Sequence, residues 1–248
     1  MTSEGAARAA RLLLELGKSG SAGSTLQDVA TALGEHKPTL LRTITSLTDQ
    51  GFVEQVARGR YRLGPSIYAL ARVESAVAKD AVTWRPVLER LAERFGQTMH
   101  LVRRAGSDVV VVDMQVGSAP VQVLTSGIGG RLPMGIGSGS LAILSTFTPE
   151  EQRAIIAGNA SRYERFGVHE ADVTEIVRRS VVAGYASDVG LIIPECGGIG
   201  VPINEGGRYI ATMSITLTAP LLFFSQNDVA DVAHVMRRQI SQHLQRGS

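Results

Sequence analysis

Residues 25–64 read TLQDVATALGEHKPTLLRTITSLTDQGFVEQVARGRYRLG, and the changes of hydrophobic period inside them decide the fold. Leu26, Val29, Ala30 and Leu33 recur at helical spacing, so the stretch opens as an amphipathic helix. Thr25 stands as its N-cap, Asp28 replaces the usual Glu of a capping box, and Gly34 stops it. A short turn, Glu35-His36-Lys37, leads to Pro38, a residue suited to the first turn of a helix. The next helix runs through Leu40, Leu41, Ile44 and Leu47 to Gly51. Beyond Gly51 the period falls to two. Phe52, Val53 and Val56 precede Arg58-Gly59-Arg60, and Tyr61 and Leu63 then alternate with Arg60 and Arg62, the pattern of a hairpin with a glycine tip. Upstream, Ala7, Ala10, Leu13, Leu14 and Leu16 predict a helix over 4–17, followed by the Gly/Ser-rich break GKSGSAGS at 17–24. Helix, helix, tight turn, helix and basic hairpin is the order of a winged helix-turn-helix, closed here by Gly64-Pro65.

Toward the C-terminus, 66–80 reads as a helix with apolar Ile67, Leu70, Ala71 and Val77, a linker between domains, and 84–95 as a second helix. From Thr98 onward strands are expected near 98–104, 108–115, 121–125, 198–204 and 208–218. Helices are expected at 138–147, 149–157 and 172–183, the last opened by a capping pair, Asp172 and Glu175. Ser225 is the expected cap of a final helix striped by Val229, Val232, Ala233, Met236, Ile240 and Leu244. Mixed strands and helices make a second, α+β domain. The predicted organisation is a winged helix-turn-helix at 1–65, a linker helix at 66–80 and a second, α+β domain at 81–248.

An element that enters the major groove exposes short polar or basic side chains near its N-terminus and buries its other face. The helix that begins at Pro38 does so, with Lys37, Thr39, Arg42, Thr43 and Ser46 lying off the apolar face. Lys37 and the first-turn amides suit phosphates, and Arg42 reaches a guanine edge or a phosphate. An arginine at the hairpin tip, Arg58 or Arg60, suits the minor groove, where the negative potential is strongest. Taken singly these are also a solvated helix face and an ordinary charged turn; the ordered combination is what carries the reading.

The bulk properties set the frame. A chain of 248 residues exceeds the usual single domain, and 44% hydrophobic with 19% charged residues is ordinary for a globular protein. No apolar run reaches the ~20 residues of a membrane span, and the first ten residues lack the order of a secretory signal, so a cytoplasmic location is expected. One cysteine, Cys196, excludes an internal disulfide framework and a multi-cysteine zinc site. A net charge of +2 is too small for a protein that coats nucleic acid, so a DNA reader here needs a local patch. Enzyme signals are poor. The glycine runs lack a Walker lysine and the dinucleotide pattern, no G-x-S-x-G occurs, and the histidines at 36, 100, 169, 234 and 243 show no zinc spacing. No cofactor is expected.

The 25–64 segment resembles the DNA-binding domain of IclR-family transcriptional regulators through Thr39 and Arg42, Gly51-Phe52, and Arg60-Tyr61-Arg62-Leu63-Gly64. It departs from that family at Glu35-His36, where Leu-Pro is usual, and at Leu41, where a histidine often precedes the arginine; altered operator choice is the expected consequence. Weaker islands continue the resemblance: Gly129 to Met134, Val182 to Asp188, Pro194, Ile199 to Pro202, and Ile210 to Thr216. The resemblance implies a GAF-like α/β effector-binding domain, a small organic, often carboxylate-bearing effector, and a homodimer, itself paired into a dimer of dimers, on a palindromic operator. Its candidate DNA-binding residues here are Thr25, Lys37, Pro38, Thr39, Arg42, Thr43, Arg58 and Arg60. Its candidate effector-binding residues are Leu132, Met134, Ser138, Gly139, Asp188, Cys196, Gly198 and Ser214.

The stretch Met134-Gly135-Ile136-Gly137-Ser138-Gly139-Ser140 supports such a pocket physically, because small residues admit a ligand to the backbone; a plain loop before a capped helix reads equally well. The family's histidine, threonine and lysine of this stretch are Gly135, Gly137 and Leu141, which predicts a roomier pocket with fewer donors and a larger or less polar effector. The family's pocket cysteine aligns with Gly198. If 196–203 is extended, Cys196 faces the same side as Gly198 and reaches the pocket; an inert buried thiol is the alternative. Ser214 reads as a ligand contact or as a core serine. Three functions stay open at this point: an effector-responsive repressor or activator, a small-molecule-binding protein or enzyme with a protein-interacting winged helix, and an interaction module with an empty sensor.

Overall fold

The computed structural model describes residues 4–71, 76–123, 127–190, 194–204 and 211–246, and its contacts divide the chain into two units, 1–75 and 76–248. In the first, α1 (Glu4–Lys18), α2 (Leu26–Leu33) and α3 (Lys37–Asp49) pack around Leu12, Leu16, Val29, Ala30, Leu40, Ile44 and Val53. Each of those larger side chains contributes about 1.5–3 kcal/mol by leaving water. Helix α2 opens as expected: Thr25 Oγ1 accepts from the Asp28 amide while Asp28 accepts from the Thr25 amide. Strands β2 (Val53–Ala57) and β3 (Arg60–Leu63) form the hairpin, and β1 (Ser24–Thr25) adds to β3, giving the order β1-β3-β2. Gly59 at its tip accepts from the Leu26 amide, tying the wing to the start of α2.

Gly64 owes its identity to Gly51. A Cβ on Gly64 would collide with the Gly51 carbonyl oxygen, because the chain leaving α3 and the chain leaving β3 cross there backbone to backbone. The Gly64 amide donates to Phe52 and the Ser66 amide to Gly51, which fixes the crossing. Helix α4 (Pro65–Ala71) follows.

Among the described residues, the second unit is built on a six-stranded antiparallel sheet. It comprises β4 (Thr98–Ala105), β5 (Asp108–Gln115), β6 (Arg131–Pro133), β7 (Ala186–Val189), β8 (Cys196–Ile203) and β9 (Met213–Pro220), in the order β6-β5-β4-β9-β8-β7. Helices α5 (Ala76–Phe95) and α10 (Val229–Arg246) cover one face, and the short α9 (Leu221–Gln226) leads into α10. Trp84, Leu88, Leu91, Met236 and Ile240 meet Met99, Leu101, Ile199, Val201, Met213, Ile215 and Leu217 there. The opposite face lies under α6 (Ser138–Leu144), with α7 (Pro149–Tyr163) and α8 (Glu170–Ala183) outside it.

Several boundaries differ from the sequence reading. Helix α5 begins at Ala76 and carries Pro86 inside it, so the break expected between 80 and 84 does not occur; residues 72–75 of the expected linker helix lie outside the described residues. No strand forms at 121–123, and 124–125 lie outside the described residues, as do 208–210 of the last expected strand, which begins at Met213. Helix α8 starts at Glu170: Asp172 caps it by accepting from the His169 amide, whereas Glu175 pairs with Arg178 and Arg179. Ser225 belongs to α9, and the cap of α10 is Asp228, whose Oδ1 accepts from the Ala230 and Asp231 amides. A residue next to a proline or a serine reads as a boundary in sequence, but tertiary packing chooses which acceptor does the capping.

Candidate nucleic-acid interface and ligand cavity

Helix α3 turns Leu40 and Ile44 inward, leaving Lys37, Pro38 and Arg42 exposed and Thr39 and Thr43 half-buried. Its hydroxyls are engaged at home. Thr43, Thr45, Ser46 and Thr48 each donate to the carbonyl four residues back, which removes those donors from a passing ligand. Lys37 and Arg42 make no ion pair or hydrogen bond with any described residue, and neither does Arg58 on the wing. The other wing arginines are committed: Arg60 donates to the Gly23 carbonyl at 2.8 Å, and Arg62 pairs with Glu54 at 2.6 Å. Thr25 is held in its capping box. Glu35, one of the departures from the family pattern, is clamped by Arg8 and Arg11 of α1 at 3.0 and 2.9 Å, so its charge is neutralised beside the turn into α3.

In the second unit a half-open cavity of about 610 Å³ of atom-free space, part of it continuous with solvent, lies between the sheet and the start of α6. The strand alternation builds it. Along β9, Met213, Ile215 and Leu217 face the α5/α10 core, so Ser214, Thr216 and Thr218 face α6; along β4, Met99 and Leu101 turn inward and His100 turns the other way. Apolar walls come from Val102, Val109, Val111, Leu132 and Ile136. Glycine in β8 lets α6 sit close. A Cβ at Gly200 would collide with the Ser138 carbonyl, and one at Gly198 with Ser138 Oγ, at 2.8 Å from Asp188 Oδ1.

Of the sequence candidates, Leu132, Ser138, Gly139, Asp188, Cys196 and Gly198 line this cavity, the last two on one side of β8. Met134 does not; its side chain is in the core under α7 and its carbonyl accepts from Tyr163 Oη at 2.6 Å. Burial pushes the Tyr163 phenol up to about 12, so it stays a donor. Ser214 is not a lining residue either, because its Oγ donates to the Gly139 carbonyl at 2.9 Å and braces α6. Ser140 reaches the lining, but its hydroxyl donates to the Ile136 and Gly137 carbonyls and accepts from the Gly135 amide.

The sequence reading missed His100, Thr216 and Thr218, which form the polar floor. Their signal was present: polar residues alternating with apolar ones in strands whose two faces are both covered are out of place unless they meet a polar partner. Burial lowers the His100 imidazole to about 4, against a smaller pull from the Thr216 carbonyl, so the ring is neutral near pH 7. Burial raises the Asp188 carboxyl to about 6, with the Ser138 hydroxyl and the amides of Asp188, Ser138 and Gly198 holding it down in part. Three buried atoms of this floor and wall lack any hydrogen-bond partner among the described residues: His100 Nε2, Asp188 Oδ1 and Thr216 Oγ1. The expectation of a pocket with few polar groups therefore fits the α6 side alone; the sheet supplies them instead.

The chain matches known proteins over both of its units. Residues 5–57 match the IclR helix-turn-helix domain, and residues 78–242 match the bacterial transcriptional regulator IclR C-terminal domain. The HTH-type transcriptional regulator Rv1719 of Mycobacterium tuberculosis is 31% identical over 185 residues, 73% of this chain and 70% of that protein. The HTH-type transcriptional regulator KipR of Bacillus subtilis is 25% identical over 193 residues, 75% of each chain. A crystal structure of an IclR homologue of Microbacterium hydrocarbonoxydans, complexed with 4-hydroxybenzoate, superposes with a TM-score of 0.75 at 23% identity, covering 99% of this chain and 100% of that one. No helix among the described residues is long and apolar enough to cross a membrane. The chain belongs to the IclR family of bacterial transcriptional regulators, DNA-binding proteins whose C-terminal domain binds a ligand.

Proposed function

We propose that this chain is a non-enzymatic, cytoplasmic regulator that reads a palindromic operator as a homodimer, paired into a dimer of dimers, and releases or tightens its grip when a small organic effector fills the C-terminal cavity. The observation that carries the reading is the selective exposure of cations: among the described residues Lys37, Arg42 and Arg58 stand unpaired while Arg8, Arg11 and Arg62 of the same unit are held in ion pairs. Helix α3 enters the major groove with Lys37, Pro38, Thr39, Arg42 and Thr43 foremost, Arg58 approaches the minor groove, and Thr25 and Arg60 hold the wing against α2. The DNA-binding domain is 1–65, the linker 66–80 and the sensor 81–248.

Leu132, Ser138, Gly139, Asp188, Cys196 and Gly198 are the effector contacts. The 4-hydroxybenzoate held by the Microbacterium homologue supports a ligand of that size. The effector acts only through its different affinity for the two arrangements of the DNA heads, which bounds the response. Fluorescence anisotropy with the chain's own upstream DNA, over a series of salt concentrations and with small organic acids added, tests the reading. Salt-sensitive, two-fold-symmetric binding that an effector modulates is expected; no salt-sensitive affinity for any upstream fragment, with or without small molecules, overturns it.

A further inference from the structure

We infer that the deep end of the cavity recognises a hydrogen-bond-donating hydroxyl of the effector, seated against Asp188, and rejects a carboxylate there. The inference rests on the effector reading above and specifies its chemistry. Asp188 is 8% exposed, and its Oδ1 accepts no hydrogen bond among the described residues. His100, 3% exposed, and Thr216, 7% exposed, line the same cavity with Nε2 and Oγ1 unpartnered. A buried polar atom left without a partner is costly, so a ligand that supplies the donor removes that cost. A Cβ at Gly198 would press on Ser138 Oγ and lie 2.8 Å from Asp188 Oδ1, so glycine there lets these two polar groups pack side by side at the cavity wall.

The charge balance excludes the other orientation. Among the described lining residues there is no lysine or arginine, and the one histidine is neutral, so Asp188 is the cavity's charged group. The amides of Ser138 and Gly198 lie near enough to hold the Asp188 carboxyl down in part, so an incoming anion would meet them beside that carboxylate. A second carboxylate placed there would be desolvated beside a like charge with no cation near, whereas a hydroxyl donates to Oδ1 and its carbon skeleton rests on Val102, Val109, Leu132 and Ile136. Any carboxylate carried by the effector therefore lies away from Asp188.

The test is calorimetric titration of the full chain at pH 7.5 with skeleton-matched probes, phenol and benzyl alcohol against benzoate, repeated on Asp188→Asn. The alcohols are expected to bind the parent at least tenfold more tightly than benzoate, and Asp188→Asn to shrink that ratio by weakening the alcohols and admitting benzoate. The parent ratio decides the matter even if the variant fails to fold. Benzoate binding the parent as tightly as the alcohols overturns the inference and leaves the effector reading standing. No probe binding either protein at millimolar concentration overturns the inference, while the effector reading stands or falls with the DNA titration.

Discussion

In the N-terminal unit the cations without a partner among the described residues are outside: Lys37, Arg42 and Arg58 stand in solvent on α3 and the wing. In the C-terminal unit, three buried polar atoms without a partner among the described residues, His100 Nε2, Asp188 Oδ1 and Thr216 Oγ1, line a cavity. The contrast follows from the size of the partner each surface meets. A DNA duplex is too large to enclose, so its reader projects charge on a local helix and hairpin, and that charge stays hydrated until binding. A small molecule can be enclosed, so its reader holds polar atoms desolvated and lets the ligand satisfy them.

Two glycine substitutions give the largest expected effects and separate the two regions. Gly64→Ala drives a Cβ into the Gly51 carbonyl, and Gly200→Ala drives one into the Ser138 carbonyl. Backbone oxygens cannot swing aside, so each should destabilise by roughly 1–3 kcal/mol or more, read as a fall in the denaturation midpoint. Gly64→Ala should abolish operator binding and spare ligand binding, and Gly200→Ala should do the reverse at the cavity. Identical loss of both activities in both variants would break the comparison.

Next in size is Arg42→Ala, with an expected operator affinity loss of roughly 10- to 100-fold and relaxed preference at one base position. Ligand affinity measured without DNA should not move. If it does, Arg42 is not a private feature of the DNA-binding face.

The pH dependence of stability sharpens the cavity side. An ordinary histidine titrates near 6.5, and His100 is lowered to about 4. Between those values the unfolded chain holds the extra proton, so this group makes stability rise as pH rises. Asp188 is raised from 3.8 to about 6. In that window the folded chain holds the extra proton, so this group makes stability fall as pH rises. The two slopes oppose each other between about pH 4 and 6. Relative to the parent, His100→Gln should therefore tilt the stability curve downward with rising pH and Asp188→Asn should tilt it upward, in urea midpoints taken across that window. Parallel curves for all three proteins would show that the cavity does not desolvate these groups.

The smallest effect is expected at the wing. Arg58→Ala should weaken all DNA sequences about equally and reduce the slope of log affinity against log salt by about one. Arg62→Ala, which breaks a pair with Glu54, should leave the slope nearly unchanged.

Legibility differed between the regions for one reason. Thr25, Gly34, Arg42, Gly51 and Arg58 belong to elements closed by local contacts, and period, caps and turn residues announce such elements in order along the chain. The α-helix boundaries there shifted by a residue or so. In the C-terminal unit, Asp188 and Gly198 were visible through resemblance, but Met134 and Ser214 proved to brace the cavity from behind, and His100 and Thr216 went unnoticed. Residues 100 and 216 face each other across the β4–β9 ladder. No spacing rule relates positions so far apart.

By itself the sequence determined the winged helix-turn-helix, the mixed second domain and the family, because hydrophobic period and turn chemistry are properties of neighbouring residues. Only the tertiary structure decided which cations stay free, since Arg60, Arg62 and Lys37 look alike until Gly23 and Glu54 are placed beside two of them. It also decided which polar atoms remain unpartnered, because desolvation depends on everything that packs around an atom and on nothing local to it.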